Sequence, residues 1–315
     1  MPPGILVIVF KGIGDVILTT PLLRALKKGL PGCRLYFLTG RSSLKILRHN
    51  PNLSGVFCRE DSPFKAIRAA GIDISLDFMR SSASGFYSLF SGASKRLAFH
   101  FSGGRIFYNL MPKKKPGAFY TVQDRLELLE ALGVAPDGIE PDVSFAPENA
   151  ARAEAFLAAS GTAPDAFTVT LDITSPREHR RWPAELFARL ADRLAKERKA
   201  KVIFLSGPGE QDYVKAALAA AREGHLLCPD FDLLDLAALQ KRSRLHVGTS
   251  SGPMHVAVSQ GTPTFTIYAP ENSPASWSPP APIHGWVQGG LAELPFDTVW
   301  EKLSAHLRSL PGGAA

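Results

Sequence analysis

A glycine-containing turn near the start of the chain carries an aspartate where a helix is expected to begin. Residues 5–10 are apolar in the manner of a buried strand, and Lys11-Gly-Ile-Gly-Asp15 follows directly. In an open α/β sheet, reactive groups are presented where a strand ends and the next helix starts. Asp15 therefore has two interpretations. It is either a general base at the sheet edge or a helix N-cap that satisfies backbone N–H groups.

This turn allows a ligand to approach the backbone, but it is not a standard cofactor loop. A dinucleotide fingerprint needs a third glycine three residues after Gly14, and Ile17 stands there instead. A Walker loop needs Gly-Lys-Ser/Thr, which is also missing. The spacing argues against a nicotinamide oxidoreductase.

A second strand-to-helix turn has the composition of an anion-binding site. Residues 248–255 combine glycine, serine and threonine, place Pro253 in the first helical turn, and end at His255. The N–H groups and the dipole at such a helix start bind anions, and a diphosphate is the expected ligand. The alternative is a serine-rich capping turn without a ligand. His255 either touches the phosphate or packs inside the protein.

Two further strand ends supply candidate binding groups. The loop 174–183 carries Arg180 and Arg181, which either neutralise a leaving phosphate or are ordinary surface charges. The turn 206–210 ends in Glu210, a carboxylate placed to accept ribose hydroxyls. The remaining histidines show no metal-ligand spacing, so no metal is expected.

Positioning these groups requires two α/β halves. The chain of 315 residues is longer than one hydrophobic core usually supports, and alternating strands and helices predict parallel sheets. A composition shift divides it into domains 1–160 and 161–315, whose sheets are expected to face one interdomain cleft. Residues 16–27 are predicted as one helix, 80–116 as irregular surface, and the segment after Tyr268 as a proline-rich loop that precedes a last helix.

The charge distribution indicates an anionic partner for the first half. Residues 1–120 hold 18 Lys/Arg against 5 Asp/Glu, whereas residues 121–315 hold 18 against 24. Such a basic domain attracts a polyanion or an anionic membrane surface. Nucleic-acid-binding modules are absent, so no nucleic acid is expected and a phosphorylated glycolipid is favoured. The alternative is a solvated basic face without a partner.

The cysteines and the apolar runs indicate the cellular compartment in which the protein is expected. Cys33, Cys58 and Cys228 are odd in number and scattered, which is typical of buried thiols in a reducing cytoplasm. No apolar run approaches the roughly 20 residues that span a bilayer. The apolar start is broken at Lys11 and is predicted to be a strand rather than a signal peptide.

Taken together, these motifs resemble glycosyltransferase family 9, the heptosyltransferases that build the lipopolysaccharide inner core. The matching segments span nearly the whole chain in the family's order: residues 11–26, 180–185, 252–257 and 261–264. The resemblance implies a GT-B architecture of two Rossmann-like domains, with the donor nucleotide held mainly by the second. It also implies metal-independent, inverting transfer from ADP-heptose, without a cofactor. The last helix, about residues 296–308, is expected to pack back on the first domain.

The resemblance also implies roles for individual residues. Asp15 is expected to remove the acceptor hydroxyl proton, and Arg180 stands where the family usually has a lysine near the donor phosphates. The donor is expected to contact Thr174, Ser175, Gly207, Glu210, Ser250, Ser251, Gly252, Pro253, Met254 and His255. The acceptor is expected to contact Lys11, Gly14 and Arg96. One departure is serious: the family commonly has an aspartate at the position of Ser250.

These features favour a monomeric, cytoplasmic glycosyltransferase at the inner face of the membrane, with ADP-heptose and a phosphorylated lipopolysaccharide core precursor as substrates. Because Ser250 replaces an acid, a different nucleotide-sugar donor is one alternative. A non-catalytic protein that binds a sugar nucleotide or a glycolipid is another.

Overall fold

The computed structural model describes residues 2–117, 120–175 and 177–311, so Pro176 of the predicted loop 174–183 lies outside the described residues. The chain divides into two compact units between Ser144 and Phe145. Each unit contains one parallel sheet. The parallel α/β organisation predicted from alternating strands and helices is therefore confirmed.

The first unit has a five-stranded sheet in the order β3-β2-β1-β4-β5. Its strands are β1 Gly4–Ile8, β2 Arg34–Thr39, β3 Gly55–Cys58, β4 Ile74–Asp77 and β5 Lys95–Leu97. Its helices are α1 Ile13–Ile17, α2 Thr20–Gly29, α3 Leu44–Leu47, α4 Phe64–Ala69, α5 Ser82–Phe90 and α6 Thr121–Glu127. Short 3₁₀ turns cover Arg41–Ser43, Arg59–Asp61, Gly104–Ile106 and Leu128–Leu132. All five residues of β1 are buried, as expected for a central parallel strand covered on both faces.

The second unit has a six-stranded sheet in the order β11-β10-β9-β6-β7-β8. Its strands are β6 Thr168–Asp172, β7 Lys201–Leu205, β8 Leu226–Leu227, β9 Leu245–Thr249, β10 Thr264–Tyr268 and β11 His284–Gln288. Its helices are α7 Pro147–Ala159, α8 Ala184–Arg198, α9 Gln211–Ala220, α10 Leu233–Arg242, α11 Gly252–Ser259, α12 Pro274–Trp277 and α13 Phe296–Ser309. A 3₁₀ turn covers Glu178–Arg180. Trp182 anchors the core of this unit, because its buried indole donates to the Leu294 carbonyl over 2.9 Å.

The helix α7 belongs to the second unit, whereas the composition shift predicts a boundary after it, near residue 160. Asn149 Nδ2 donates to Asp235 Oδ1 of α10 over 2.7 Å, and Arg152 forms an ion pair with the same carboxylate. The proline-rich, acidic stretch before α7 is therefore the linker. The contacts that Asn149 and Arg152 make with α10 join residues 83 or more positions apart, so the composition of α7 does not record them.

The last helix, α13, buries its apolar face within the second unit. Phe296, Val299, Leu303 and Leu307 belong to the same hydrophobic cluster as the strands of that sheet. Within this unit α13 contacts β10, β11 and α8. Its expected packing against the first domain stays a prediction.

Three segments differ from their sequence-based predictions. The predicted helix 16–27 is two helices, since Pro21 favours a new first turn at the start of α2. The stretch 80–116 contains α5 and β5, which its serine-rich and glycine-rich composition concealed. The proline-rich loop after Tyr268 contains α12 and the sixth strand, β11. The prediction that the three cysteines are buried is confirmed.

Candidate active site

Asp15 lies in the first turn of α1 and is held by a buried arginine. The N-cap of α1 is Gly12, and no side chain caps this helix. The interpretation of Asp15 as an N-cap is therefore wrong. Its Oδ1 instead accepts a hydrogen bond over 2.7 Å from Nη2 of Arg125, on α6.

Arg125 fixes the position of this carboxylate through three acceptors. Besides Asp15 Oδ1, its guanidinium donates to the Asp15 backbone carbonyl and to the Thr19 hydroxyl. Burial lowers the pKa of Arg125, and the Asp15 charge opposes that effect. Arg125 is 7% exposed in its side chain and Asp15 is 18% exposed, so the acid remains accessible while its partner is enclosed. Within the described residues, Oδ2 of Asp15 makes no hydrogen bond, and this oxygen is placed to receive a proton.

The three predicted acceptor residues fall into two groups. Lys11 is exposed in the turn before α1, and Gly14 lies next to Asp15 in that helix. Arg96 lies on β5 instead. Its Nε donates to the Phe107 carbonyl over 2.7 Å and its Nη1 to the Ala93 carbonyl over 2.9 Å. A structural role in holding the end of the sheet accounts for these Arg96 contacts.

In the second unit, a predicted donor-binding group forms where β6 and β7 end. Thr174 Oγ1 donates to Glu210 Oε2 over 2.7 Å, and the Gly207 N–H donates to the same oxygen over 3.0 Å. The Thr174 carbonyl accepts from Thr249 at the end of β9 over 2.8 Å. The structure thus brings together Thr174 and the turn that carries Gly207 and Glu210, which are two separate segments of the sequence.

The turn between β9 and α11 is coupled to an acid that the sequence motifs did not identify. Ser251 is the N-cap residue of α11, but its hydroxyl donates to Asp172 Oδ2 and does not cap the helix. Asp172 Oδ1 accepts from the backbone N–H and the hydroxyl of Thr174. Because Ser251 is engaged in this way, its hydroxyl does not occupy the first-turn N–H groups of α11. Such groups are the usual ligands of a bound anion.

Asp172 is a buried acid with a shifted titration. The pKa of Asp172 is raised from 3.8 to about 6, chiefly because burial removes the carboxylate from water. Hydrogen bonds from Ser251 and Thr174 oppose this effect by stabilising the ionised form. Strand β9 approaches the backbone of Asp172 closely at Gly248, where a Cβ would lie 2.5 Å from the Asp172 carbonyl oxygen. Glycine is therefore required at position 248.

The remaining predicted donor residues line the start of α11. Ser250, Ser251, Gly252 and Pro253 are half-buried, and Met254 and His255 are buried. The His255 ring packs edge-on against Trp277, with 6.0 Å between ring centroids. The packing interpretation of His255 is therefore supported by a definite contact.

Arg180 and its neighbours form the loop that follows β6. Arg180 Nε donates to Glu271 Oε1 over 2.8 Å, and His179 Nε2 lies 3.0 Å from the same oxygen. Ser175 is buried, and its carbonyl accepts from Arg181 Nε over 2.7 Å. A partly exposed carboxylate thus holds Arg180 in place at the surface, where an incoming phosphate can compete for the guanidinium.

Three of these residues were missed by the sequence motifs. Asp172 directly follows the apolar part of β6, and an acid at the carboxyl end of a buried strand is a signal that could have found it. Arg125 and Glu271 carry no such signal. They lie 110 and 91 residues from their partners Asp15 and Arg180, and only the fold brings them together.

Residues 62–288 match the family model described as glycosyltransferase family 9 (heptosyltransferase). The chain belongs to glycosyltransferase family 9. It is therefore a glycosyltransferase, and the family predicted from its motifs is confirmed.

Individual relatives are distant but cover nearly the whole chain. Lipopolysaccharide heptosyltransferase 3 of Escherichia coli is 22% identical over 95% of this chain and 93% of its own length. The crystal structure of the glycosyl transferase family 9 protein from Veillonella parvula has a TM-score of 0.87, with 22% identity, covering 96% of this chain and 97% of its own. E. coli ADP-heptose lps heptosyltransferase II has a TM-score of 0.78, with 18% identity, covering 96% and 98%. These likenesses confirm the GT-B fold class.

Two negative findings apply to the described part of the chain. None of its helices is both long and apolar enough to cross a membrane. Nor do its His, Cys, Asp and Glu side chains gather in any group of three or more that could hold a metal ion.

Proposed function

We propose that this glycosyltransferase moves heptose from ADP-heptose to an acceptor in the lipopolysaccharide inner core, by inverting, metal-independent transfer. The proposal rests chiefly on Asp15, whose carboxylate is fixed through one oxygen by Arg125 while the other oxygen is unoccupied within the described residues. The relatives named above support the substrates, because their names specify lipopolysaccharide and ADP-heptose.

The proposed chemistry is a single displacement. Oδ2 of Asp15 takes the proton of the acceptor hydroxyl as the acceptor oxygen attacks the anomeric carbon of the donor. The bond from that carbon to the diphosphate breaks on the opposite face, and ADP leaves with the bonding electrons. The fixed geometry of Asp15 contributes by holding the base in line with the attacking oxygen.

The second unit supplies the binding site for the leaving group in this proposal. The first-turn N–H groups of α11 face the diphosphate, and Arg180 exchanges Glu271 for a phosphate oxygen as negative charge develops. Thr174 and Glu210 contact the ribose. The proposal requires the carboxyl ends of the two sheets to meet at one cleft, with the acceptor on the first unit, which carries the net positive charge: 19 Lys/Arg against 11 Asp/Glu over residues 1–144. The enzyme then acts at the cytoplasmic face of the membrane.

The substitution Asp15→Asn tests the base. We expect ADP binding to be unchanged and turnover to fall by about two to four orders of magnitude, because the amide cannot accept the proton. Binding is measured by calorimetry with ADP, and turnover by release of ADP from ADP-heptose in the presence of a lipopolysaccharide core acceptor. Near-normal turnover of the variant would rule out Asp15 as the base.

Position 250 favours a second candidate function, transfer from a different nucleotide sugar. Ser250 stands where an acid is common in the family, and the carboxylate of Asp172, on the neighbouring strand, instead contacts this turn through Ser251. A thermal-shift panel of ADP-, UDP- and GDP-sugars separates the two candidates. Stronger stabilisation by a UDP- or GDP-sugar than by ADP-heptose would establish the second.

A further inference from the structure

The helix α5 of the first unit is amphipathic in the reverse of the usual sense. Its buried residues are the small Ser84, Gly85 and Ser88 together with Tyr87, whereas Phe86 and Phe90 are 46% and 56% exposed. Surface helices normally bury their large apolar side chains and expose their small polar ones. The outward phenylalanines therefore contribute little to the folding of this unit.

The packing of α5 against the sheet prevents it from rotating. Ser88 Oγ is hydrogen-bonded to Ser75 Oγ of β4 over 2.6 Å in a fully buried position. Gly85 lies against the Phe107 ring, so closely that a Cβ would be 2.4 Å from the nearest ring carbon. Small residues make these two contacts, and α5 also buries Tyr87, whereas Phe86 and Phe90 point outward.

Three exposed rings of the first unit contact one another, Leu89 adjoins one of them in the chain, and Ile106 precedes Phe107, whose ring contacts Phe86. We call this set the aromatic surface and define it as Phe64, Phe86, Leu89, Phe90 and Ile106, of which Ile106 is 72% exposed. The Phe90 ring centroid lies 5.9 Å from that of Phe64 and 6.1 Å from that of Phe86. A contiguous exposed patch of this kind marks an interaction site more often than isolated apolar residues do.

Positive charge surrounds the aromatic surface. Lys65 and Arg105 are exposed and adjoin Phe64 and Ile106 in the chain. Arg68 lies beside the end of α5, where its Nη1 would be 2.3 Å from a Cβ at Gly92. In the described part of the chain, none of these three side chains forms an ion pair with an acid.

The acids close to the aromatic surface in the chain are paired, hydrogen-bonded or buried. Asp61 pairs with Arg41 and Glu60 with Arg59, and between positions 62 and 112 the acids are Asp73 and Asp77. Asp77 is fully buried and accepts the Tyr108 hydroxyl, and Asp73 accepts the Gly4 N–H over 2.8 Å. Neither neutralises the basic rim.

We propose that the aromatic surface docks this protein onto an anionic lipid bilayer. The phenylalanines and Ile106 enter the boundary between headgroups and acyl chains, and the basic rim contacts the anionic headgroups. A second copy of the chain is a poorer occupant, because it would bring two basic rims together. This inference deepens the proposed function, since the acceptor named there is a lipid, but docking is measurable without any substrate.

The test is co-sedimentation of the full chain with two kinds of vesicle. One contains phosphatidylethanolamine with phosphatidylglycerol, and the other contains only phosphatidylcholine. The double variant Phe86→Ser with Phe90→Ser removes the apolar contact. The matched control is Trp286→Ser, because Trp286 is an aromatic residue of similar exposure, 48%, in the second unit.

We expect the native chain to prefer the anionic vesicles and the double variant to bind them at least about ten-fold more weakly. Trp286→Ser should bind like the native chain. The charge variant Lys65→Glu with Arg105→Glu should lose the preference for anionic vesicles. Equal loss in the Trp286 control, or no loss in the double variant, would overturn the proposal.

Two further measurements separate this docking from the other possibilities. If light scattering shows a dimer that the double variant dissociates, the surface is a contact between copies and the proposal is wrong. Transfer to a deacylated, water-soluble core acceptor should be unchanged in the double variant. If the native chain docks but shows no transfer, the proposed function fails and the docking surface stands.

Discussion

The substitution Asp172→Asn should make the second unit more stable and the enzyme less active. Asp172 is 2% exposed, and its raised pKa means that the folded protein holds the proton more tightly than the unfolded chain does. Ionisation of this group therefore weakens the fold. Asparagine has nearly the same shape and cannot ionise. Its amide can donate to Ser251, whose hydroxyl can turn to accept.

The magnitude follows from the difference between the two pKa values, 3.8 in the unfolded chain and about 6 in the folded protein. That difference corresponds to roughly 3 kcal/mol. The contribution of Asp172 to the free energy of unfolding falls as the pH rises from about 4 to about 6 and is constant above that range. The free energy of unfolding of the Asp172→Asn variant should therefore be higher than that of the native chain by up to about 3 kcal/mol at about pH 7.5. At about pH 4.5 the difference should be only about 1 kcal/mol.

Tryptophan fluorescence reports on the relevant unit alone. The four tryptophans, Trp182, Trp277, Trp286 and Trp300, all lie in the second unit. Urea unfolding followed by their emission gives the free energy of unfolding of that unit at each pH, even when the first unit unfolds separately.

Asp192→Asn is the matched control, because its expected effect has the opposite sign. Burial raises the pKa of Asp192, but hydrogen bonds from the Glu223 and Arg222 N–H groups and from His225 outweigh it, and the pKa is lowered overall. Removing that charge should destabilise the unit at neutral pH. If Asp172→Asn were less stable than the native chain, or if its advantage were the same at both pH values, the reasoning about Asp172 would be refuted.

A destabilising charge is usually kept for function. We expect Asp172→Asn to raise the KM for the nucleotide sugar, because Asp172 orients Ser251 and Thr174 at the donor site. The kinetics are measured at about pH 7.5, where the native group is ionised. Unchanged kinetics in the stabilised variant would mean that Asp172 has no part in donor binding.

Three further substitutions test the site. Arg125→Lys should lower kcat about ten-fold or more in a steady-state assay while circular dichroism shows a folded chain, since an ammonium cannot bridge the three acceptors around Asp15. An unchanged kcat would show that Arg125 does not position the base. Gly248→Ala should destabilise the second unit by about 1–3 kcal/mol in urea unfolding, because the new methyl group collides with the Asp172 carbonyl. A neutral effect would contradict the close approach of the two strands. Arg180→Ala should change stability by less than about 1 kcal/mol, as its ion pair is partly exposed, but it should raise the donor KM. An unchanged KM would exclude a phosphate contact.

The order of strands and helices could be predicted from the sequence because it depends on local patterns. β1 is apolar throughout and α8 has an apolar stripe at helical spacing, so residues close together in the chain predict both elements. The two turns that begin at Lys11 and Gly248 were recognisable for the same reason, since glycine and small hydroxyl residues must lie where a strand turns into a helix. These turns also located Asp15 and the start of α11.

Composition misled where packing overrides local preference. The serine-rich composition of segment 80–116 predicts an irregular surface loop. Its small residues Gly85 and Ser88 instead allow α5 to lie against β4 and Phe107. Likewise, α7 has no marked apolar stripe, and its place in the second unit follows from contacts with distant residues, among them those of Asn149 and Arg152 with Asp235 of α10.

The sequence by itself determined which residues end the strands, and therefore the candidates Asp15, Thr174, Glu210 and the turn 248–255. Only the tertiary structure decided what holds them. Arg125 reaches Asp15 from a helix far along the chain, and Asp172 reaches Ser251 from a neighbouring strand. Side-chain contacts between distant segments depend on how sheets and helices pack, and no local pattern in the chain records that packing.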